Sequence, residues 1–538
     1  MSLKQYNTVN ILLLLLPTFL AAQNRYWVSF TDKKEAIEMF LPTDFLSEAS
    51  LERREVQNLG IQTNDYPVSP SYKSAVSKLG FQIYSESRWL NAVSIYLTSP
   101  NDVNRIKQLP FVKSVNKVKT YFNKISDLNF DDYSLKHSNT EYGPSFGQLA
   151  QLNGQVLHEQ GFKGAGVTIA VIDASFHKVD SLFMFDHLWD NNKILDTWDF
   201  VLNQDLDFSI DTIGYHGTMV LSCMGAYMPD SLIGTAPDAS YLLYRTEDTS
   251  SETLLEEDNW VLAAEKADAF GADIINTSLG YSILDDSLES HSYSDMDGNT
   301  TVITIAADIA ASKGMLVVNS AGNSGTSDWY YITAPADGDS VLTIGAVDSD
   351  SIVTSFSSRG PTSDGRMKPN VVSQGLNAVV CNLNNGIRTA NGTSFSSPIL
   401  AGMAASAWSA LPLLSSMDLF ELIQESGHLY PNGNNEYGFG VPNFETLLQL
   451  ISITELPSDN LRFYPNPVSD LLVLDLDYFE KHNFVSISIY NILGEKVFFE
   501  SRKPKSNLTI DLSELPTNSI YILKAQQGLK EAKCRLLK

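Results

Sequence analysis

The run from Val167 to Asp173 is made of β-branched and small apolar residues and ends abruptly in a carboxylate. Comparable apolar runs recur at 240–244, 274–276 and 315–319, with a weaker one at 341–347. Helix-period segments at 259–270 and 301–313 precede the second and third of these. Strands that are apolar along their whole length and alternate with helices predict a parallel sheet with helices on both faces. This α/β class constrains the chain more than any other feature, because sites in such sheets collect at the carboxyl ends of the strands.

The other parts of the chain read differently. At 538 residues it exceeds what one core serves. Residues 1–22 have Lys4 near the start, an apolar run at 11–16, Pro17, and Ala21-Ala22 before Gln23, the layout of a secretory signal peptide. A spanning helix needs about 20 apolar residues, so no transmembrane segment is expected in the mature form. Alternation at 26–30 and 91–97, helical patterns at 71–79 and from Ser99-Pro100 to Leu109, and a strand at 111–115 make a small α+β unit. Placed between a signal peptide and the α/β unit, it reads as an inhibitory propeptide, a binding module being the other reading. A polar linker and processing region follows at 121–147, and a helical stretch reaches Leu157 and His158. The expected division is 1–22 signal peptide, 23–135 propeptide and linker, 136–452 catalytic unit, 453–460 linker and 461–538 C-terminal module. A net charge of −26, from 63 acids against 37 bases, argues against nucleic acid or anionic membrane as partners. Cys223, Cys381 and Cys534 form neither a disulfide framework nor a zinc pattern. Pairing of Cys223 with Cys381 depends on Cα separation and stays open.

Four residues stand where this sheet would gather them. Asp173 ends the first strand, and His216, in Gly214-Tyr215-His216-Gly217-Thr218-Met219, opens an apolar helix. Asn323 follows the strand and turn at 317–322, and Ser394 lies in Thr389-Ala390-Asn391-Gly392-Thr393-Ser394 before a small-residue helical run at 399–410. Each alone has an ordinary role as turn residue, structural histidine or helix cap. Together they supply what acyl transfer needs. A hydroxyl is a weak nucleophile, so an imidazole must take its proton, and a carboxylate must fix the tautomer and stabilise the imidazolium. A side-chain amide and the Ser394 N–H would hold the oxyanion, worth about 3 to 4 kcal/mol per donor.

The order Asp, His, Asn, Ser with these local texts resembles the subtilisin-like serine peptidases, the subtilase family. The matching pieces are Val171-Ile172-Asp173, His216-Gly217-Thr218, Gly234-Thr235-Ala236-Pro237, Ser278-Leu279-Gly280, Ala321-Gly322-Asn323, Phe356-Ser357-Ser358-Arg359-Gly360-Pro361, and Gly392-Thr393-Ser394 with Ser397-Pro398. The resemblance implies Ser394 as nucleophile, His216 as general acid/base, Asp173 as its orienting partner and Asn323 as oxyanion donor. It further implies that Ser278, Leu279 and Gly280 pair with an extended polypeptide substrate, while Ala321 and Gly322 line the pocket for the side chain before the scissile bond. Three departures stand out. The family usually reads Asp-Ser/Thr-Gly where this chain has Asp173-Ala174-Ser175. Phe395 replaces the methionine common after the nucleophile, removing an oxidisable thioether. Asn370, after Lys368-Pro369, stands where aspartate is common.

No cofactor is required for this chemistry. A structural calcium stays open without identifiable ligands: Asp295-Met296-Asp297-Gly298-Asn299, within an extra segment at 281–300, and the acidic run at 205–211 read as capped acidic loops, lacking the full calcium-loop spacing. Past residue 450, alternating runs at 471–476, 485–490 and 508–512 predict a small β-sandwich. Tyr464-Pro465-Asn466-Pro467, Ile489-Tyr490-Asn491-Ile492-Leu493-Gly494 and Ser519-Ile520-Tyr521-Ile522-Leu523-Lys524 resemble the C-terminal sorting domain of the type IX secretion system. That resemblance implies export through the periplasm, with residues 461–538 engaging the type IX machinery and then being removed, to give a secreted or surface-attached protein. The expected function is a serine endopeptidase made as a zymogen. The alternative is a catalytically inactive subtilase fold used for binding or adhesion, for which the altered Asp173 turn is the support; an esterase would want an apolar acyl pocket.

Overall fold

Residues Ile169 to Asp173 of the strand Thr168–Asp173 are all buried, and successive side chains serve opposite faces: Ile169 and Val171 enter one core, Ala170 and Ile172 the other. The computed structural model describes residues 24–97, 99–119, 141–210, 214–453 and 462–538, the last with short breaks at 466–467, 477–478, 480, 482, 492–495, 506–507, 517–519 and 528–529. The expected signal peptide, residues 120–140 of the polar linker, residues 454–460 and parts of the C-terminal motifs at 466–467, 492–494 and 519 lie outside the described residues.

Thr168–Asp173 sits inside a seven-stranded sheet in the order Val371–Gln374, Val341–Val347, Leu316–Ser320, Ile274–Thr277, Thr168–Asp173, Ser240–Arg245, Ile194–Asp199, every pairing parallel. One face packs against the helices His216–Gly225 and Thr393–Ala410, the other against Leu254–Phe270 and Val302–Ser312. Fully burying each Leu, Ile or Val of these cores contributes about 1.5–3 kcal/mol. Two strands go beyond the apolar runs: Ile194–Asp199 is half-buried and interrupted by Asp196 and Thr197, and Val371–Gln374 is only four residues long. The helix expected from residue 259 begins at Leu254, because Thr253 Oγ1 accepts from the Leu255 N–H and Glu256 returns a bond to the Thr253 N–H, a capping box.

The N-terminal unit is a four-stranded antiparallel sheet, ordered Ile83–Ser87, Ala92–Leu97, Asn24–Phe30, Val112–Lys119, with helices including Pro70–Lys78 and Pro100–Lys107. It is docked on the outer helices of the large sheet. Trp27, Ala92 and Val118 pack with Leu254 and Leu262. Fully buried Asp268, on the helix Leu254–Phe270, receives Arg53, Arg54 and Arg88 of the N-terminal unit. Burial works against the Asp268 carboxylate, but the three guanidinium groups outweigh it and hold its pKa below the usual value. One helix turn away, Glu265 accepts from the Arg88 and Trp89 N–H groups (2.8 and 3.1 Å). A buried charge left without its partners costs about 3–5 kcal/mol, so these groups demand that the two surfaces meet in one register.

At the C-terminus, sheets Arg462–Tyr464/Leu471–Asp475/Leu508–Asp511 and Lys496–Arg502/Val485–Asn491/Ile520–Gln527/Lys530–Leu537 bury Leu472, Leu474, Ile487, Ile489, Ile510 and Leu523 between them, the expected sandwich. No described helix is long and apolar enough to cross a membrane. Cys223 and Cys381 are both buried free thiols.

Candidate active site

The carboxyl end of Thr168–Asp173 delivers Asp173, fully buried, to the start of the helix His216–Gly225. His216 Nδ1 and Asp173 Oδ1 are 2.7 Å apart, and the same oxygen accepts from the Ala174 N–H at 2.7 Å. That bond leaves Nε2 as the ring nitrogen available for proton transfer. Burial works against the imidazolium, yet the charge of Asp173 and its hydrogen bond together win, so the His216 pKa is raised above 6.5. The helix approaches closely only because residue 217 is glycine: a methyl group there would stand 2.4 Å from the Ser175 carbonyl oxygen and 3.0 Å from Asp173 Cβ. Ser175 in turn accepts from the His216 N–H at 3.2 Å. Neither Gly217 as a spacer nor Ser175 as an acceptor is apparent from the sequence, because both depend on how closely the strand end and the helix start approach.

Ser394 stands in the first turn of Thr393–Ala410, a helix buried almost all round. Gly392 before it has φ 151° and ψ 151°, a conformation essentially restricted to glycine. Pro398 inside the helix has no N–H to give the Ser394 carbonyl, and the Ser278 hydroxyl donates to that carbonyl instead, at 2.8 Å. Ser394 Oγ donates to the Ser278 carbonyl at 3.4 Å, and the residue is 9 % exposed. Phe395, the next residue, lies with its ring centroid 5.9 Å from that of His216, which brings the two helix starts side by side.

Asn323 faces the same helix start. Its Oδ1 accepts from the Thr393 N–H at 2.9 Å and from Thr393 Oγ1 at 3.0 Å. Because an N–H must donate to oxygen, this fixes the amide orientation and turns Nδ2 the other way. A point placed as a methyl on Gly392 would be 3.7 Å from Asn323 Nδ2 and the Ser394 nitrogen and 3.8 Å from Asn323 Oδ1, so the asparagine amide lies against the serine turn. Thr393 Oγ1 also accepts from the Gly322 N–H at 3.2 Å, tying the Ala321-Gly322 wall to the serine turn.

Ser278-Leu279-Gly280 continues from the strand Ile274–Thr277, and Tyr281 after it exchanges backbone bonds with Ala334 at 2.8 and 3.1 Å. The extra segment at 281–300 is fastened down: Asp295 bonds the Ser292 N–H, Asp297 bonds the Asn299 N–H and Thr300, and Tyr293 stacks on Tyr331. In the other acidic run Asp207 bonds Ser209. Among the described residues no group of three or more His, Cys, Asp or Glu side chains is placed to hold a metal ion. At the position where aspartate is common, Asn370 accepts from the Thr343 N–H and donates to Gln424.

The subtilase family model matches residues 164–440, a Peptidase S8 propeptide domain model of Bacteroidota matches 25–131, and a secretion system C-terminal sorting domain model matches 462–538. Subtilisin DY of Bacillus licheniformis is 30% identical over 295 residues, covering 54% of this chain and 94% of that protein. Subtilisin E of Bacillus subtilis (strain 168) is 27% identical over 392 residues, covering 72% of this chain and 88% of that one. The solved structure of the epidermin leader peptide processing serine protease of Staphylococcus aureus superposes with a TM-score of 0.55 at 18% identity, covering 80% of this chain and 99% of that one, a likeness of fold. The chain therefore belongs to the subtilase family: it is a subtilisin-like serine protease made with a propeptide and carrying a C-terminal sorting domain that directs its secretion.

Proposed function

We propose that the chain hydrolyses peptide bonds in proteins with Ser394 as nucleophile, His216 as general base and then acid, Asp173 as the orienting carboxylate, and Asn323 with the Ser394 N–H as oxyanion donors. The observation that carries this reading is the pairing of buried Asp173 with His216 Nδ1 at 2.7 Å, with Asn323 held through Thr393 beside Ser394. A side-chain amide next to the N–H of a serine at a helix start suits the oxygen of a tetrahedral intermediate.

In the first step Ser394 Oγ bonds to the substrate carbonyl carbon while its proton passes to His216 Nε2, and the carbonyl oxygen takes the negative charge between the two donors. The C–N bond then breaks, and the proton on Nε2 goes to the leaving amine. Water repeats the sequence on the acyl-enzyme: its proton goes to Nε2, its oxygen to the acyl carbon, and Ser394 recovers its proton. Asp173 keeps Nδ1 protonated throughout and stabilises the imidazolium. The peptide lies extended along Ser278-Leu279-Gly280, with the side chain before the scissile bond between that segment and Ala321-Gly322. Export begins with residues 1–22, and residues 461–538 engage the type IX machinery before removal. The inactive-scaffold alternative has no observation in its favour, since the altered Asp173 turn still holds His216 at 2.7 Å.

A fluorophosphonate probe should label the processed protein at Ser394, and Ser394→Ala should lose both labelling and casein hydrolysis. Absence of labelling in correctly processed protein would overturn the proposal.

A further inference from the structure

Thr333 carries an anomaly that the reaction scheme does not use. Its side chain is 4 % exposed, and Oγ1 has no hydrogen-bond partner. Buried hydroxyls nearly always find one, usually a carbonyl of the same turn. The position of this hydroxyl is set by the backbone exchange between Tyr281 and Ala334, which lays Thr333 alongside Gly280. A methyl group built on Gly280 would stand 2.1 Å from Thr333 Oγ1, and one built on Gly322 would stand 3.1 Å from the same atom. Thr333 Oγ1 therefore lies between Ser278-Leu279-Gly280 and Ala321-Gly322, which flank the pocket for the side chain before the scissile bond. Its β-branched side chain has few rotamers to retreat into. Ser358 Oγ, which faces Gly322 as well, accepts from the Ser324 N–H at 2.9 Å and makes no hydrogen bond to the threonine.

We propose that Thr333 closes the inner end of this pocket and sets cleavage preference toward short side chains that hydrogen-bond its hydroxyl, asparagine above all, and against large aromatic ones. The proposal rests on the peptidase reading above and adds the class of residue cleaved. A buried polar group left unpaired by the wrong substrate carries a penalty that the right substrate removes, and this separates isosteres better than pocket size does. Asparagine and leucine have nearly the same shape, so their ratio reports the hydrogen bond. Phenylalanine reports the depth.

The experiment uses processed enzyme, its active fraction titrated with a fluorophosphonate, and fluorogenic peptides that differ only in Asn, Leu or Phe before the cleaved bond. Wild type should favour Asn over Leu in kcat/KM by about tenfold. Thr333→Val, equal in shape but without the hydroxyl, should bring that ratio close to one, while Thr333→Ser should keep it. Thr333→Gly should raise cleavage after Phe by about tenfold or more. An Asn-to-Leu ratio unchanged in a Thr333→Val enzyme that still takes up the probe overturns the proposal and leaves the peptidase reading standing. So does a Thr333→Gly enzyme that takes up the probe and cleaves after Phe no faster than wild type. A wild type that takes up no probe overturns the peptidase reading and this proposal with it.

Discussion

The turns that carry Asp173 and Ser394 have the same task, holding a side chain at the end of a strand or the start of a helix, and they are built to different standards. Around Ser394 the Gly392 N–H reaches the Gly375 carbonyl, Thr393 bonds Asn323 through both backbone and hydroxyl, and Ser278 takes the carbonyl that Pro398 leaves open. Around Asp173 one oxygen carries everything. Oδ1 accepts from His216 and the Ala174 N–H, while Oδ2 is buried and has no hydrogen-bond partner among the described residues. The text of the Ser394 turn resembles the family's and the text of the Asp173 turn departs from it. The difference shows what the departure costs: a hydroxyl at residue 174 is absent, and Ser175, one residue on, serves the His216 N–H rather than the carboxylate.

The largest effect expected from breaking the weaker turn is that of Asp173→Asn, which removes the charge and leaves Nδ1 facing an amide. Turnover should fall by about 10⁴-fold. The pH profile gives the sign independently. Because the His216 pKa is raised above 6.5, the neutral base is lost as pH falls through that raised value, and the acid limb of kcat/KM should lie above pH 6.5. Asp173→Asn leaves burial, which lowers the pKa, without the carboxylate that offsets it, so the limb of the residual activity should move to lower pH. A limb that stays in place would show that the titrating group is not a histidine paired with Asp173.

Breaking the stronger turn should cost less. Asn323→Ala should lower kcat by about 10²- to 10³-fold with KM nearly unchanged. Because it also strips Thr393 of its acceptor, Asn323→Asp is the sharper probe: it keeps oxygens for Thr393 and removes the donor. A comparable loss in Asn323→Asp assigns the effect to the oxyanion; recovery would assign it to the support of Thr393.

The two turns also differ in how much of them the sequence revealed. The candidate set was legible because the proposed chemistry demands particular residue types at strand ends and helix starts, and Asp173, His216, Asn323 and Ser394 all fall there. The supports were not. Nothing in the text announces that Ser278 compensates for Pro398 across more than a hundred residues of chain, or that Thr333 reaches back to Gly280, because both depend on which strands become neighbours. Strands were found where burial on both faces makes the text uniformly apolar, as in Thr168–Asp173, and missed where it does not, as in half-exposed Ile194–Asp199. The helix at Leu254–Phe270 was shortened because its acidic first turn hides the periodicity, although Thr253 and Glu256 spell the cap. The charged seam around Asp268 was invisible for a further reason: its arginines belong to the N-terminal unit, and an interface between two units leaves no periodic mark in either.

A smaller effect should come from Gly217→Ala. The added methyl would stand 2.4 Å from the Ser175 carbonyl oxygen, so the His216 helix must move away from the Asp173 turn. Such overpacking costs about 1–3 kcal/mol. In a Ser394→Ala background, which prevents self-digestion, the thermal midpoint should fall, and in the active background kcat should fall with it. An unchanged midpoint would mean that the turn is loose enough to yield, contrary to its burial.

The smallest effect, and the most direct test of the contrast between the turns, belongs to Ala174→Ser. A hydroxyl on the residue after Asp173 would add a donor beside the carboxylate, and supplying a partner to a buried carboxylate oxygen is worth about 1 kcal/mol or somewhat more. The thermal midpoint should rise. Turnover should rise less than tenfold, since Oδ1 already holds His216 and only the freedom of the carboxylate to rotate is removed. If neither quantity changes, Oδ2 is satisfied by solvent in the folded protein, and the two turns are equally well supported despite their different texts. If stability rises while turnover falls, the unpaired oxygen is itself useful: a carboxylate with one free lone-pair face concentrates its charge on the imidazolium, and a second donor would draw that charge away.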